Sequence, residues 1–225
     1  MPSLSVELAG RIEEAILAHR LTPGTKLGER ELGEILGASR IVVRQALIRL
    51  AEDGLVSVER NRGAFVASPS LREAIEVYEA LTLMEQGMVT RLCDGVIRPD
   101  LASLTDNIAR QRAATDASEN PRADRIGTDF HSVLMALSGN QVLRDMHDQL
   151  NRRARLLQSL YPRDYDRCRL CDDHVRLVQL IEKRQARRAR DLVEDHYRAI
   201  LRGFRIDERP RPSHTLEEAF ALEAA

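Results

Sequence analysis

The chain of 225 residues contains only three cysteines, no apolar run long enough to cross a bilayer, and no excess of either charge. So few cysteines exclude a disulfide framework and indicate a reducing compartment. The first five residues lack the basic and apolar stretches of an export signal, so we expect a cytoplasmic protein without a membrane segment. Because 34 Lys and Arg oppose 35 Asp and Glu, any nucleic-acid site must be a local basic surface.

Strand signals are scarce as well. Along most of the chain, apolar residues recur at spacings of three and four, and this period predicts helices. The exception is an early pair of β-like runs at residues 55–59 and 64–67, joined by a turn that ends in Gly63. Helical periodicity resumes near Leu71 and continues to about Arg205. Breaks between the later helices are predicted at Pro99, Pro121, Gly139, Pro162 and Gln185.

This pattern predicts a mainly α protein with two domains. Three helices, a tight three-residue turn between the last two of them, and a β-hairpin together form a winged helix-turn-helix domain at residues 1–68. Residues 69–75 are predicted to be a linker, and residues 76–206 an all-α domain. Residues 207–225 are predicted to be a C-terminal tail, with a short helix starting near Thr215.

The third predicted helix, residues 40–53, carries side chains suited to DNA. Arg40 and Arg44 lie one turn apart near its start, on a different face from its apolar stripe. The opening turn of a recognition helix reaches base edges in the major groove, where arginine can donate two hydrogen bonds to guanine. Ser39 and the free backbone N–H groups at the helix start suit a phosphate.

Further basic residues extend this surface beyond the third helix. Arg30 lies on the preceding helix, and Arg60 and Arg62 lie on the hairpin, where Gly63 would let the backbone approach a groove. The alternative is a solvated charged face, which isolated arginine pairs usually form. The tight turn, the capped helix, its arginines and the basic hairpin occur here in one order, so we predict double-stranded DNA as a partner.

A more specific signal lies in four segments, LTPGTKLGEREL at 21–32, SRIVVRQAL at 39–47, DGLV at 53–56 and RGAFV at 62–66. Together they resemble the GntR family of bacterial transcription regulators. The resemblance implies that Arg30, Arg40, Arg44 and Gly63 touch operator DNA. Many members have Thr-Pro where this chain has Ile41 and its neighbour. Ile41 cannot hydrogen-bond a base, but it can pack on a thymine methyl group.

In the all-α domain, Phe130-His131, the segment LSGN at 137–140 and two later histidines resemble the FadR-type (FCD) subfamily of these regulators. The resemblance implies an antiparallel bundle of six or seven helices around a ligand-binding cavity, in which many members hold a divalent metal with three His and an Asp or Asn. His131, His174 and His196 fall at the matching positions and would suit Zn²⁺ or a similar ion. Their spacing alone favours ordinary core or surface histidines.

Two departures from the subfamily bear on this site. The acidic ligand of the family stands four residues before the first histidine, and this chain has Gly127 at that position. A metal site with three histidines would therefore be completed by a water or by an effector carboxylate. Members that bind carboxylates often have an arginine three or four residues before a Glu, here Glu85, but this chain lacks it. An acidic effector would be neutralised by the metal or by Arg152 or Arg155; a less charged effector is the alternative.

Cys168 and Cys171 form a Cys-x-x-Cys pair shortly before the second histidine. The pair could be a thiol switch or supply extra metal ligands, but no second pair completes a tetrahedral site. We therefore expect two half-buried thiols with a structural role.

The predicted function is transcription regulation, as a repressor or an activator, with a repressor the favoured form. A homodimer would place two recognition helices in successive major grooves of operator DNA, and a small metabolite in the helical domain would modulate its affinity. No nucleophile–base constellation or phosphate loop is present, so we expect no enzyme activity. The alternatives are a metal-dependent hydrolase carrying a DNA-binding head and a constitutive DNA binder without an effector.

Overall fold

The computed structural model describes residues 3–18, 20–95, 100–161, 164–204 and 215–221. Helices dominate it, and a small antiparallel sheet lies in the N-terminal part, as the sequence predicts. The chain divides into two compact units that are not contiguous in sequence. Unit one comprises the described residues within Met1–Leu71, Arg152–Pro162 and Arg205–Ala225, and unit two comprises those within Arg72–Asn151 and Arg163–Phe204.

The N-terminal part of unit one contains three helices and a three-stranded sheet. Its elements are α1 (Leu4–Leu17), β1 (Lys26–Leu27), α2 (Glu29–Leu36), α3 (Arg40–Glu52), β2 (Val56–Glu59) and β3 (Gly63–Val66). β3 lies between the other two strands and pairs antiparallel with both, so that Phe65 stands opposite Lys26 on one side and Ser57 on the other. β1 is missing from the sequence prediction because two residues are too few to show the alternation of a strand.

The helix-turn-helix forms because its helix ends are capped locally. α2 ends at Gly37, which adopts the left-handed conformation with φ of 66°. Ser39 then starts α3, and its hydroxyl accepts a hydrogen bond from the backbone N–H of Val42 at 3.4 Å. α3 packs on α1. The buried stripe of α3 consists of Val43, Ala46, Leu47 and Leu50.

The described residues of unit two form helices joined by short turns. Its helices are α4 (Leu71–Cys93), α5 (Ala102–Asp116), α6 (Asn120–Ala136), the first part of α7 (Gln141–Leu160), α8 (Arg167–Glu182) and α9 (Ala186–Gly203). α5 packs on α6 and α8, and α8 packs on α6 and α9. Asn140 precedes α7, where its side chain accepts the backbone N–H of Leu143 at 3.2 Å. None of the described helices has both the length and the apolar character that a membrane crossing requires.

Some boundaries differ from the predicted ones. α4 begins at Leu71, so residues 71–75, predicted to be part of a linker, are helical. α7 contributes to both units, because its residues from Arg152 onward group with unit one. Helical periodicity could not reveal this division, since the helix runs through it without a break. The predicted breaks at Pro99 and Pro162 lie outside the described residues.

The predicted tail contains a packed helix, α10 (Leu216–Ala221). Thr215 precedes it, and its hydroxyl accepts the backbone N–H of Glu218 at 3.2 Å, while the Glu218 carboxylate accepts the backbone N–H of Thr215 at 2.8 Å. Ala219 and Phe220 are buried, and α10 packs on α2. The short helix predicted near Thr215 is therefore part of the core of unit one. The rest of the predicted tail, residues 207–214 and 222–225, lies outside the described residues.

Gly33 of α2 allows the tight turn before α3 to close. A Cβ atom at this position would lie 2.8 Å from the backbone oxygen of Ala38. We expect Gly33→Ala to destabilise unit one by about 1–3 kcal/mol, because the backbone of the turn must move to relieve the overlap.

The matched control is Gly10→Ala in the interior of α1, where a Cβ atom would have no neighbour within 4 Å among the described residues. This variant should be more stable than the wild type by about 0.5–1 kcal/mol, since alanine favours a helix. Urea unfolding followed by circular dichroism measures both changes. A Gly33→Ala variant as stable as Gly10→Ala would contradict the close packing of the turn.

Candidate DNA-contacting surface and buried histidine site

The residues predicted to contact DNA are all exposed on unit one. Ile41 is 70% exposed although its side chain is large and apolar, and Arg40 and Arg44 lie near it on the first turns of α3. These side chains are left to solvent because the buried stripe of α3 packs on α1. The complete set is Arg30, Ser39, Arg40, Ile41, Arg44, Arg60, Arg62 and Gly63.

Two of the arginines predicted to contact DNA are hydrogen-bonded to carboxylates of the same unit. The Nε and Nη2 atoms of Arg44 both donate to Glu29 at 2.7 Å, and these hydrogen bonds lower the pKa of Glu29. Arg30 donates to Glu34 at 2.8 Å. The Arg40 side chain has no hydrogen bond or ion pair with any residue that the structure describes. Exposed ion pairs contribute little to stability, so these pairs do not prevent the arginines from binding a phosphate or a base.

The hairpin of β2 and β3 forms the predicted wing. Gly63 has φ of 101°, a conformation that favours glycine. The guanidinium of Arg62 pairs with Glu59 and lies 5.3 Å from the centre of the Phe65 ring. Arg60 has no side-chain partner within the described ranges, so its charge is available to an external anion.

Three buried histidines from three helices meet in unit two. His131 comes from α6, His174 from α8 and His196 from α9, and none is more than 5% exposed. Each offers a ring nitrogen, and these ligand atoms all lie within 4.8 Å of one another. A single metal ion can bridge such a spacing, because zinc binds imidazole nitrogen at about 2.0–2.1 Å. The fold therefore brings together the three histidines that the sequence analysis singled out.

The Nδ1 atom of each ring is engaged by an oxygen of another side chain. The partners are the carboxylate of Glu85 for the first ring (2.9 Å), the amide of Gln111 for the second (2.8 Å) and the carboxylate of Asp173 for the third (3.3 Å). An oxygen in this position accepts a proton from Nδ1, and Nε2 of a neutral ring then keeps a lone pair. Nε2 of His174 is buried and has no hydrogen-bond partner in the described part of the chain. A divalent metal fits these donors and would satisfy that atom.

Burial keeps two of these imidazoles neutral. It lowers the pKa of His174 well below its usual value, and the two neighbouring histidines lower it further. For His196, burial lowers the pKa more than the hydrogen bond to Asp173 raises it. Only a neutral imidazole has a lone pair for a metal, so both rings are in their ligand form near neutral pH.

Glu85 of α4 joins this site to a fourth histidine. Its fully buried carboxylate accepts hydrogen bonds from His131, from Nε2 of His147 at 2.8 Å, and from the Tyr197 hydroxyl. Burial raises the pKa of Glu85, but the two histidines together hold it below its usual value. Burial and the nearby carboxylate raise the pKa of Tyr197, so its hydroxyl stays protonated and can donate.

The cavity beside the histidines is small. Its volume is about 10 Å³, which is roughly the room that a single water molecule needs. An ion fits this space, whereas a metabolite requires the surrounding side chains to move apart. The lining residues are Glu85, His131, Asp173, His174, Leu177, Leu192, Val193, His196 and Tyr197.

Comparison with known families decides what the chain is. Residues 4–66 match the model of the bacterial regulatory proteins of the gntR family, and residues 76–199 match the model of the FCD domain. The chain belongs to the GntR family. It is a transcriptional regulator in which a GntR helix-turn-helix domain precedes an FCD effector-binding domain.

Individual relatives agree with this assignment. The GntR-family chain is 22% identical over 194 residues to the HTH-type transcriptional regulator YdhC of Bacillus subtilis. The aligned residues cover 85% of this chain and 87% of that protein. It is 25% identical over 170 residues to the Nta operon transcriptional regulator of Aminobacter aminovorans, covering 75% of this chain and 79% of the relative.

Solved structures support the fold. A GntR transcriptional regulator from Rhodococcus sp. RHA1 superposes with a TM-score of 0.76 at 23% identity, covering 91% of this chain and all of that one (100%). E. coli McbR/YncC superposes with a TM-score of 0.72 at 21% identity, covering 90% of this chain and 98% of that one.

The arginines predicted for an acidic effector do not line the histidine cavity of the FCD domain. Arg152 and Arg155 belong to the part of α7 that groups with unit one. There Arg152 donates to Asp53, the C-cap residue of α3. The sequence could not distinguish the two units along an unbroken helix. Gly127 is buried on α6 and, having no side chain, offers no ligand, as expected.

The two cysteines of the Cys-x-x-Cys pair differ in exposure. Cys168 is exposed, whereas Cys171 is buried. Burial raises the pKa of Cys171, so at neutral pH it is a protonated thiol and not a reactive thiolate. Among the described residues, neither belongs to the group that could hold a metal.

Four residues that hold the histidine site together were not predicted from the sequence. One of them had a usable signal, since His147 shares the helical spacing of the buried Asn151 and Ala154 on α7. The others depend on contacts between distant segments, which spacing does not report. The four residues are Gln111, His147, Asp173 and Tyr197.

The Glu85 carboxylate should be a main determinant of the stability of unit two. Glu85→Gln keeps the shape but replaces one acceptor oxygen with an NH₂ group, which cannot accept the hydrogen bonds that Glu85 receives. We expect a loss of about 2–3 kcal/mol in the free energy of unfolding, measured with urea in the presence of a chelator. The matched control is Glu76→Gln, an exposed carboxylate on the same helix, which should change stability by less than about 0.5 kcal/mol. Equal effects of the two substitutions would contradict this role.

Proposed function

We propose that this GntR-family chain is a homodimeric repressor that binds operator DNA through the exposed start of α3 and releases it when a small metabolite binds the FCD domain. The observation that carries the proposal is the placement of Arg40 and Arg44. Both are exposed on a helix whose start is capped by Ser39 and whose other face is buried. A helix-turn-helix presents this part of its recognition helix to base edges in the major groove.

Glu29 would orient the Arg44 side chain for this contact. The carboxylate occupies the Nε and Nη2 atoms of the guanidinium, which holds the group in one orientation. Arginine has five N–H donors, so donors on Nη1 remain for a guanine or a phosphate. Ile41 would then pack on a thymine methyl group, and Ser39 with the free N–H groups of α3 would face a phosphate.

The wing would add contacts to the DNA backbone. Arg60 and Arg62 are exposed at the turn between β2 and β3, next to Gly63. Arginine binds phosphate through short charge-assisted hydrogen bonds, and a glycine backbone can approach a groove closely. Such contacts fix the position of the protein on the duplex, whereas the start of α3 reads the sequence.

A second copy of the chain would supply the second recognition helix. Helix-turn-helix dimers read two half-sites about 34 Å apart, and one copy carries one α3. Large apolar side chains are exposed on α4 (Ile75, Leu83) and on α7 (Val142, Met146), at 47–68% exposure. A dimer interface would bury such side chains.

The histidine site is where we place the control of DNA binding. His131, His174 and His196 would hold a divalent metal such as Zn²⁺ through their Nε2 atoms. A bound ion supplies positive charge and an open coordination position that suits a carboxylate or another anion. Because Gly127 contributes no side chain, this position is left to a water molecule or to the effector.

α7 supports a connection between the histidine site and the DNA-reading helix. In unit two, His147 of α7 donates to Glu85, which also holds His131. In unit one, Arg152 of the same helix donates to Asp53, the C-terminal cap of α3. A ligand that displaces Glu85 would therefore act on α3 through α7. Thermodynamic linkage then requires operator DNA to change the affinity for the effector by the same factor.

A hydrolase built on the same metal is less well supported. Such an enzyme needs a carboxylate that is free to act as a general base next to the open coordination position. The carboxylates that line the cavity are those of Glu85 and Asp173, and both accept hydrogen bonds from histidine rings. The geometry therefore favours binding over turnover.

Operator binding by α3 can be tested with the double variant Arg40→Ala/Arg44→Ala. Each lost arginine–base contact costs about 1–3 kcal/mol, so we expect the affinity for the intergenic DNA beside the gene to fall at least about 30-fold. A gel shift measures the affinity. The control is Arg122→Ala/Arg198→Ala, two exposed, carboxylate-paired arginines of unit two, which should bind as the wild type does. Wild-type affinity of the first variant would rule out α3 as the reading helix.

Metal and effector binding can be tested by thermal shift. Zn²⁺ added to chelator-treated protein should raise the melting temperature, by an amount corresponding to about 2.7 kcal/mol at one hundred times the Kd, and His174→Ala should lose this rise. A metabolite library screened on the Zn²⁺-loaded protein should then yield a stabilising compound that releases operator DNA. If no compound stabilises the protein or releases DNA, the chain is a constitutive binder and the proposed control is wrong.

A further inference from the structure

Gln111 on α5 and Gly127 on α6 are matched to each other beside His174. We propose that Gln111 is a positioning residue for the metal: its amide oxygen fixes His174 so that Nε2 of the ring faces the ion, and Gly127 supplies the space that the amide occupies. The inference rests on the metal binding proposed above, and it concerns the space that a side chain at position 127 would need.

The space above Gly127 is taken by the Gln111 amide. A Cβ atom at position 127 would lie 2.7 Å from Nε2 of Gln111 and 3.3 Å from its Cδ. A contact of 2.7 Å is closer than a side chain can approach, so any residue larger than glycine would displace the amide. Gln111 is only 5% exposed, so the displaced group would have to find room among buried neighbours.

The hydrogen bond of Gln111 selects one form of the His174 ring. The amide oxygen lies 2.8 Å from Nδ1 of His174. A carbonyl oxygen only accepts, so Nδ1 carries the proton and Nε2 keeps the lone pair that a metal requires. The Phe130 ring stacks on His174 with centroids 4.0 Å apart and an angle of 11° between the planes. Stacking fixes the plane of the imidazole, whereas only the hydrogen bond distinguishes its two nitrogens.

Gln111 differs in charge from the groups that hold the other two rings. Glu85 and Asp173 engage His131 and His196 with carboxylates, whereas Gln111 engages His174 with a neutral amide. With glycine at position 127, the residue at this position would not reduce the charge of a bound ion. The site therefore keeps a stronger attraction for an anionic ligand than a site with an acidic residue at 127 would have.

Two substitutions of Gln111 separate hydrogen bonding from packing. Gln111→Met keeps the length of the side chain but removes the acceptor, and it should lower the affinity for Co²⁺, titrated into the chelator-treated full chain, about 10–100-fold. Gln111→Glu keeps an acceptor oxygen and should match or exceed the wild-type affinity. The control is Asn107→Leu, which removes a fully buried amide one turn earlier on α5 and should leave the affinity within about threefold.

The tautomer of His174 can be read without any metal. Long-range ¹H–¹⁵N correlation spectra of the metal-free protein should show a protonated Nδ1 in the wild type and in Gln111→Glu, and a loss of this preference in Gln111→Met. Thermal unfolding of each metal-free variant establishes that it is folded before it is titrated.

A double-mutant cycle tests the match between the two positions. Gly127→Ala should lower Co²⁺ affinity in the wild-type chain, because its methyl group displaces Gln111. In a Gln111→Ala background the space is free, so Gly127→Ala should cause no further loss. Equal losses from Gly127→Ala in both backgrounds would overturn the proposal, as would a Gln111→Met variant with wild-type affinity and an unchanged tautomer.

The wild-type titration separates this inference from the function on which it rests. If the wild-type chain shows no Co²⁺ absorption, the proposed metal site is wrong and the metal role of Gln111 is wrong with it. If the wild type binds Co²⁺ and the Gln111→Met variant binds it equally well, the metal site stands and only the positioning role fails.

Discussion

Burying the Glu85 carboxylate constrains how unit two can be assembled. A fully buried charge is costly unless hydrogen bonds compensate its lost hydration, and three donors on α6, α7 and α9 do so here. One of these donors is Nδ1 of His131, so the other ring nitrogen, Nε2, is the one left for a metal. The arrangement of the histidine site thus follows in part from compensating one charge on α4. The same carboxylate reaches α7 through His147, which ties that helix to the site.

Both candidate sites hold a functional side chain in place through a partner from the same unit. Glu29 engages one edge of Arg44, and Gln111 engages one nitrogen of His174. In each case a donor or a lone pair remains available to DNA or to a metal. Because the side chain is already held in one orientation, less conformational entropy is lost on binding. The two pairs differ in burial. The arginine pair is exposed and accessible to DNA, whereas the histidine pair is enclosed.

The parts of the structure that were predictable are those encoded locally. The Ser39 cap, the left-handed Gly37 and the arginines at the start of α3 depend on residues only a few positions apart, so the sequence displays them directly. The support of the histidine site joins segments that are far apart in the chain: Gln111 lies 63 residues from the ring that it holds. No periodicity reports such a contact. The sequence does not show the division of α7 between two units either. Arg152 was therefore predicted to bind the effector, although it belongs to unit one.

The position of Arg152 has a consequence for any acidic effector. The residues that line the histidine cavity include two carboxylates, those of Glu85 and Asp173, and no arginine or lysine. These carboxylates would repel an anion that enters this space, and a metal on the histidines would supply a compensating positive charge. The proposed metal would then strengthen the binding of an acidic effector, and linkage makes the effect reciprocal. A neutral effector would not need the positive charge of the metal. Whether effector binding depends on the metal would therefore indicate the charge of the effector.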